Sequence, residues 1–424
     1  MMILINRILL QHIATVSLIS ILLITYNTKS QESQIKTIKI YNSNSEISEP
    51  IIELNTSETI TLSFDDLSDS PISYSYTLLH CTNDWNESRL MKSDYMDGFD
   101  INPINDYQNS YSTTIPYTHY KLKIPNNDVK LKISGNYIIK VIDSYNPEKV
   151  VLEQKFMVVE PLLTIDATLR QPFSIDKKTT SQQINLVIKT NQTSISNPYS
   201  DLIVNVQQNG QILNSYSRLK PVFIRSNEID YSSPDNLVFD GVNEFRSFNT
   251  NSIRYISSGI QNIDHIGSEY GIQLIPSENN RKKLYITVPD INGKNKINLE
   301  NSNQSEVEAD YVWVYFTLPY YDQLEGKEVY VYGALTNWQA LPQNQMHYNT
   351  QREAFELRLL LKQGYYNYRY VVKDSKTGEF DQTFFEGNHF ETENNYQILV
   401  YLKQPSTRYE RLIGYKTINS AMGN

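Results

Sequence analysis

The stretch that decides the fold is residues 355–372, with the sequence FELRLLLKQGYYNYRYVV. Apolar and aromatic side chains recur at alternate positions on both sides of Lys362-Gln363-Gly364. A period of two residues is typical of a β-strand, because successive side chains of a strand point to opposite faces of the sheet. The short polar connection predicts that the two strands form a hairpin.

Strand-sized segments of the same kind run along the whole chain. They are residues 73–80, 136–142, 150–159, 183–188, 283–288, 311–316 and 328–333. Helical periodicity is scarce, and Asn209-Gly210 predicts a type I′ hairpin turn, because both residues tolerate a positive φ. Many short strands without helical crossovers favour an all-β fold of tandem immunoglobulin-like β-sandwich domains.

Four segments follow from the pattern. Residues 1–30 combine Arg7 with an apolar run and a polar end, which predicts a cleaved signal peptide; an uncleaved signal anchor is the alternative. An N-terminal β-sandwich domain is expected at 31–160, since Pro161 ends a strand. A middle β-rich domain at 161–304 and a C-terminal immunoglobulin-like domain at 305–424 complete the prediction.

Composition excludes several classes of function. The 424 residues carry 38 Lys and Arg against 47 Asp and Glu, a net charge of −9, which argues against nucleic acid as a partner. The single cysteine, Cys81, excludes an intrachain disulfide and a cysteine-rich metal site. After residue 30 no segment is long and apolar enough to span a membrane as a helix, so we expect an exported protein without a direct membrane span.

The sequence offers no recognisable catalytic set. The six histidines lack metal-ligand spacing, and the usual hydrolase and nucleotide-binding motifs are missing. Cys81 is expected to be a buried structural residue. Asp65-Asp66 and the acids at 306, 308 and 310 suit paired carboxylates or calcium ligands, but exposed loop acids are the simpler interpretation. We therefore predict a protein that is not an enzyme and that has no cofactor.

The segment Lys92–Asp100, KSDYMDGFD, places aromatic and acidic residues in an expected loop after Trp85. One interpretation is a packed turn in which Gly98 supplies backbone freedom. The other is a partner-recognition loop, because aromatic side chains often anchor interfaces.

The C-terminal part resembles the immunoglobulin-like glycogen- and starch-binding modules. The resemblance is carried by 331–338 (VYGALTNW) and 360–370 (LLKQGYYNYRY). It implies a sandwich of about seven strands, and it makes Trp338 a candidate residue for stacking on sugar rings. An exported glycan-binding protein is therefore the alternative function; it requires an exposed Trp338, whereas a buried Trp338 would be part of the core.

A broader resemblance, to the plug proteins of the bacterial type IX secretion system, extends over the sequence after residue 30. Its blocks are 80–85 (HCTNDW), 95–99 (YMDGF), 117–120 (YTHY), 131–137 (LKISGNY), 156–160 (FMVVE), 239–246 (FDGVNEFR) and 387–396 (GNHFETENNY). This resemblance implies a periplasmic protein, peripheral to the outer membrane, that binds the large outer-membrane β-barrel translocon and closes its periplasmic end. It identifies no contact residues.

Overall fold

The computed structural model describes residues 34–190, 193–267, 269–404 and 407–422. The predicted signal peptide at 1–30 lies outside these residues. Residues from Lys36 onward form one compact unit. Within the described ranges, no helix has the length and apolar character that a membrane span requires.

The first part of the unit contains two sheets and a small ribbon. Its elements are β1 (Ile35–Asn42), β2 (Ile51–Glu53), β3 (Ile60–Asp66), β4 (Tyr74–Cys81), α1 (Lys92–Tyr95), β5 (Met96–Gly98), β6 (Asn102–Pro103), β7 (Asp106–Asn109), β8 (Thr118–Ile124), β9 (Val129–Leu131), β10 (Gly135–Asp143) and β11 (Asn146–Val159). One sheet has the order β1-β3-β8-β7 and the other β2-β11-β10-β4-β6, while β5 pairs with β9. Alternation places Ile60, Leu62 and Phe64 of β3 in the core, where the Phe64 ring stacks on Tyr120 at 5.1 Å.

The second group of strands lies between residues 164 and 297. It comprises β12 (Thr164–Arg170), β13 (Ser181–Lys189), α2 (Pro198–Asp201), β14 (Leu202–Gln208), β15 (Gln211–Tyr216), β16 (Phe223–Arg225), β17 (Glu228–Asp230), β18 (Val238–Asp240), β19 (Arg246–Asn249), β20 (Ile260–Ile266), β21 (Glu269–Leu274) and β22 (Asn295–Ile297). The predicted hairpin turn is confirmed: Asn209 and Gly210 join β14 to β15 with φ angles of 51° and 69°.

The last group completes the sheets. It comprises α3 (Ser305–Glu308), β23 (Tyr311–Pro319), β24 (Lys327–Tyr332), β25 (His347–Asn349), β26 (Ala354–Lys362), β27 (Gly364–Asp374), β28 (Phe380–Asp381), β29 (Asn395–Leu402) and β30 (Arg411–Asn419). Sheets of order β12-β13-β17-β16 and β15-β14-β29-β30 accompany sheets of order β19-β27-β22 and β20-β21-β23-β26-β25. The fold is all-β, as predicted.

The predicted hairpin around Gln363 is wrong. β26 pairs with β23 and β25, whereas β27 pairs with β19, β22, β24 and β28, so the two strands belong to different sheets. Gln363 forms the corner between these sheets, where its backbone N–H donates to Asp310 and its side chain to the Thr250 carbonyl. Strand pattern alone does not distinguish this corner from a hairpin, since both need a short polar connection.

Two apolar cores contain strands from both sides of residue 304. One contains buried apolar side chains from the range between Leu163 and Phe239 together with Tyr396, Ile398, Val400 and Ile413. The other joins Phe248, Ile260 and Ile272 to side chains between Val312 and Phe385. The chain leaves the first core near β18 and returns to it at β29. The division at residue 304 stays a prediction.

The first part of the chain packs against the rest through an apolar contact. Ile51, Met157 and Val159 meet Tyr401 and Leu412 in one buried cluster. The Tyr401 hydroxyl also donates to the Asn136 side chain over 2.8 Å. The first two sheets are therefore fixed to β29 and β30 by both apolar and polar contacts.

A second connection is ionic and fully buried. The Asp65 carboxylate on β3 accepts from Lys362 Nζ and the Tyr311 hydroxyl, each over 2.7 Å, and lies 2.6 Å from His119 Nδ1. Lys362 Nζ also lies 4.1 Å from the centre of the Tyr117 ring. The interpretation of Asp65 and Asp66 as exposed loop acids is wrong, because both are buried on β3.

Removing one partner of this ion pair should destabilise the protein strongly. We expect Lys362→Met to lower the free energy of unfolding by about 3–5 kcal/mol, because it leaves a buried carboxylate without its cation. The double variant Asp65→Leu/Lys362→Met should recover part of the loss. Urea unfolding measures both, and the half-exposed pair Asp166–Lys189 supplies the control, since Lys189→Met should leave the midpoint unchanged. Equal midpoints for Lys362→Met and Lys189→Met would contradict this account.

His80 is a second buried polar group in the first part of the chain. Its Nε2 donates to the Ser134 carbonyl over 3.3 Å, and its Nδ1 lies 3.0 Å from the Ser88 hydroxyl. Burial lowers the pKa of His80 from 6.5 to about 4, because the charged ring would be desolvated. The ring is therefore neutral in the folded protein at pH 7.

This pKa predicts a loss of stability in acid. Below pH 6.5 the unfolded chain binds a proton at His80 that the folded chain refuses until about pH 4, so acid favours unfolding. The contribution amounts to up to about 3 kcal/mol between pH 6.5 and 4. Urea unfolding across this range should show a shallower pH dependence for His80→Gln than for the natural chain. Parallel curves for the two proteins would contradict the buried neutral state.

Candidate interaction surface

The segment predicted as a packed turn or a recognition loop presents apolar side chains to solvent. The expectation of a loop is wrong for most of the segment, because residues 92–98 form α1 and β5. Phe99, directly after β5, is 80% exposed, and just outside the segment Met91 is 66% and Ile101 is 49% exposed. Tyr95, by contrast, is buried and donates its hydroxyl to the Leu78 carbonyl over 3.0 Å. The segment thus has an inner aromatic residue that holds it and outer apolar residues that face solvent.

Hydrogen bonds fix the shape of this loop. The Asn102 side chain donates to the Phe99 carbonyl over 2.8 Å, and Lys92 Nζ donates to the Asp100 carbonyl over 3.2 Å. Arg408, from the connection between β29 and β30, donates to the Asp94 carboxylate over 3.0 Å. Because its backbone is held on both sides, the loop presents Phe99 in a defined position.

Gly98 is required where the loop turns at the end of β5. Its φ is 132°, in a region that side-chain-bearing residues rarely adopt, and a Cβ atom there would lie 2.1 Å from the Asp128 carbonyl oxygen. Gly98 therefore adopts a backbone conformation that needs a glycine, as the sequence predicted. A packed turn and an exposed apolar tip occur together in this segment.

Trp338, the candidate sugar-stacking residue, is half-buried. Its ring meets Phe245 edge-on at 6.1 Å between centres and Tyr332 at 5.6 Å. Gly293 lies against it so closely that a Cβ atom would come within 2.3 Å of Trp338 Cη2. The ring is thus surrounded on several sides, and its role in binding sugar stays a prediction.

A cavity of about 570 Å³ lies beside β4. His80, Cys81, Ser88 and Glu410 line it. Burial raises the pKa of the Cys81 thiol to about 11, and Glu410 accepts two hydrogen bonds from Asn83 at 2.8 and 2.7 Å. The thiol is therefore protonated at pH 7, and the Glu410 carboxylate is occupied by a structural contact.

The acidic residues that the sequence considered as calcium ligands do not converge. Asp310 accepts from the backbone of Thr114 and Ile115, while Glu306 pairs with Lys121 on the surface. Within the described ranges, no three His, Cys, Asp or Glu side chains come together in a possible metal site. The exposed side chains of Met91, Phe99 and Ile101 suit a binding role, and sequence alone did not show that they face solvent.

Two known families match parts of this chain. Residues 35–160 match the family described as type 9 secretion system plug protein 1st domain. Residues 318–403 match the family described as the glycogen recognition site of AMP-activated protein kinase. Both matches agree with the two resemblances read from the sequence. No curated protein matches the chain.

A solved structure extends the comparison to nearly the whole chain. The crystal structure of a hypothetical protein from Parabacteroides merdae ATCC 43184 is 35% identical in sequence and superposes with a TM-score of 0.89. The match covers 92% of this chain and 98% of that one. This chain belongs to the same family as that protein, and its residues 35–160 match the plug protein first domain.

Proposed function

We propose that this protein is the periplasmic plug that binds the outer-membrane translocon barrel of the type IX secretion system and closes its periplasmic end. The match of residues 35–160 to the plug first domain carries the proposal. A barrel wide enough for folded cargo would leak when idle, and a globular protein seated at its end would prevent this. The protein would then act in the periplasm, peripheral to the outer membrane, and without catalysis.

A plug must be rigid, because any part that deforms would leave a gap through which small molecules pass. The buried Asp65–Lys362 pair and the apolar cluster around Tyr401 fix the first part of this chain to the remainder at two separate places. Breaking either contact would expose buried charge or apolar surface to water. These contacts suit a body that closes a pore as one piece.

The loop around Phe99 is the proposed contact with the barrel. It lies within residues 35–160, and its exposed apolar side chains are held on a hydrogen-bonded backbone. An aromatic side chain presented in this way loses little conformational entropy on binding. Since plugging must be reversible, a small apolar anchor within a polar surface suits the task better than a large apolar face.

Substitution of the loop should weaken binding to the barrel. We expect Phe99→Ser to reduce the affinity roughly 5- to 100-fold, the usual range for an aromatic interface anchor. The measurement is co-purification of the barrel with tagged plug protein from detergent-solubilised envelopes, together with the sensitivity of the cells to vancomycin. Less barrel should be recovered, and more vancomycin should enter.

The control is Tyr145→Ser, which removes another exposed aromatic side chain, from the turn between β10 and β11. It should leave barrel recovery and vancomycin sensitivity unchanged, and both variants should unfold at the same temperature as the natural chain. If Phe99→Ser binds normally, the contact lies elsewhere. Failure to recover any barrel with the natural, correctly exported chain would contradict the plug function itself.

Glycan binding is the second candidate, supported by the match of residues 318–403. The rings of Phe245 and Tyr332 meet Trp338 edge-on, and the backbone at Gly293 lies close to it, so little of the surroundings of this ring is open. We therefore expect the protein to migrate through glycogen-containing native gels without retardation. Retardation that Trp338→Ala abolishes, while the unfolding temperature stays unchanged, would establish the glycan function instead.

A further inference from the structure

Residues 284–288, Leu284-Tyr285-Ile286-Thr287-Val288, have the sequence of a strand and lie in no sheet of the described ranges. The prediction of a strand at 283–288 is therefore wrong, because no neighbouring strand pairs with this segment. Leu284 is 90% exposed and Ile286 is 72% exposed, and Val288 is exposed as well. A buried strand would place these three side chains against a core.

The alternation nevertheless has two distinct sides. Tyr285 points toward the protein, where its hydroxyl donates to the Glu244 carboxylate and its ring centre lies 5.7 Å from that of His389. Leu284, Ile286 and Val288, which alternate with Tyr285, are all exposed, and in an extended chain such alternate residues face the same way. The segment presents an apolar ridge and is held from behind.

Both ends of the segment are anchored. Lys283 N–H donates to the Asn280 carbonyl over 2.9 Å, and Asn280 N–H donates to Phe385 over 2.8 Å. Beyond the other end, the Asp290 carboxylate accepts from the Phe245 N–H, and Ile291 N–H donates to the Asn367 side chain over 2.6 Å. The conformation of residues 284–288 is thus set by fixed neighbours on both sides.

The backbone of this segment is open to a partner. Within the part of the chain that the structure describes, the N–H and C=O groups of residues 284–288 take part in no backbone hydrogen bond. Water can satisfy them only while the segment stays exposed. An added strand would pair with these groups, as extended peptides do on open strand edges, and its own alternate side chains would pack beside the ridge on the same face.

Charge indicates which partner fits. Arg281, Lys282 and Lys283 are all exposed immediately before the ridge, on a protein whose net charge is −9. Arg281 and Lys327 both lie close to the Phe384 ring, at 5.4 and 5.1 Å from its centre. Glu278 pairs with Lys283. The N-terminal end of the ridge is therefore a local positive patch.

We propose that residues 284–288 bind an extended segment of another protein by strand addition. The bound segment carries alternating apolar side chains and acidic residues at the end that lies beside Arg281 and Lys282. A second copy of this chain fits less well, because its own ridge ends in Pro289 and in Asp290, whose carboxylate is already engaged with Phe245. This proposal does not depend on the plug function.

The test uses the full chain after residue 30 and two fluorescein-labelled peptides, Glu-Glu-Val-Thr-Val-Thr-Val and Val-Thr-Val-Thr-Val-Glu-Glu, which cover both strand directions. We expect one of them to bind in fluorescence anisotropy and to protect the amides of residues 284–288 from hydrogen exchange. Replacing its two Glu by Lys should weaken binding at least about tenfold. Alternate backbone N–H groups of a strand point to the same edge. Methylating the nitrogens on one edge of the peptide should therefore abolish binding, whereas methylating those on the other edge should leave it unchanged.

Matched variants locate the site on the protein. Ile286→Ser should weaken peptide binding at least about tenfold, whereas Ile175→Ser, which removes another isoleucine with 84% exposure, should have no effect. The proposal is overturned if neither peptide binds or if both N-methylated forms bind equally well. It is also overturned if sedimentation shows self-association that Ile286→Ser abolishes, because the occupant would then be a second copy. None of these results depends on recovery of the translocon barrel.

Discussion

The buried carboxylate of Asp65 is the contact on which the arrangement of this molecule depends. It sits on β3 in the first part of the chain and accepts from Lys362, on β26, and from Tyr311, on β23. Burial lowers the pKa of Lys362 because the ammonium group is desolvated, and the carboxylate opposes that effect. Neither charge is satisfied unless the first sheets and the C-terminal strands meet in this one register. The ion pair therefore links the first sheets to the C-terminal strands, and loss of either charge would leave the other buried without compensation.

The relation between sequence and fold follows from what each pattern encodes. Alternation predicted strands at 73–80 and 136–142 correctly, because the core side of a strand must be apolar wherever the strand pairs. Asn209-Gly210 predicted its hairpin correctly, because its φ angles are a local property. The connection at Gln363 has no such local signal: a hairpin and a corner between sheets need the same short polar link. Asp65 was misread because its partner Lys362 lies 297 residues away, and no local pattern records that contact.

The candidate interaction surface shows the same limit. Sequence identified the segment from Lys92 to Asp100 and its glycine, but exposure of a side chain is decided by what packs beside it. Tyr95 and Phe99 are both aromatic and four residues apart, and only the structure separates the buried anchor from the exposed tip. Trp338 shows the same dependence on its neighbours. Phe245, Tyr332 and Gly293 lie close to it, and its role in binding sugar stays a prediction.

A strand pattern specifies the ability to pair and says nothing of the identity of the partner. In most of this chain the partner is another strand of the same molecule, so pattern and sheet coincide. At residues 284–288 the pattern persists although the described chain supplies no neighbour. Three aliphatic side chains on one outer side are an aggregation hazard for an exported protein. The basic run at Arg281–Lys283 reduces that hazard, since cationic residues disfavour pairing with a like-charged copy and favour an acidic strand. An apolar ridge, an open backbone and flanking positive charge therefore occur together between β21 and β22, which is the combination that addition of an acidic strand requires.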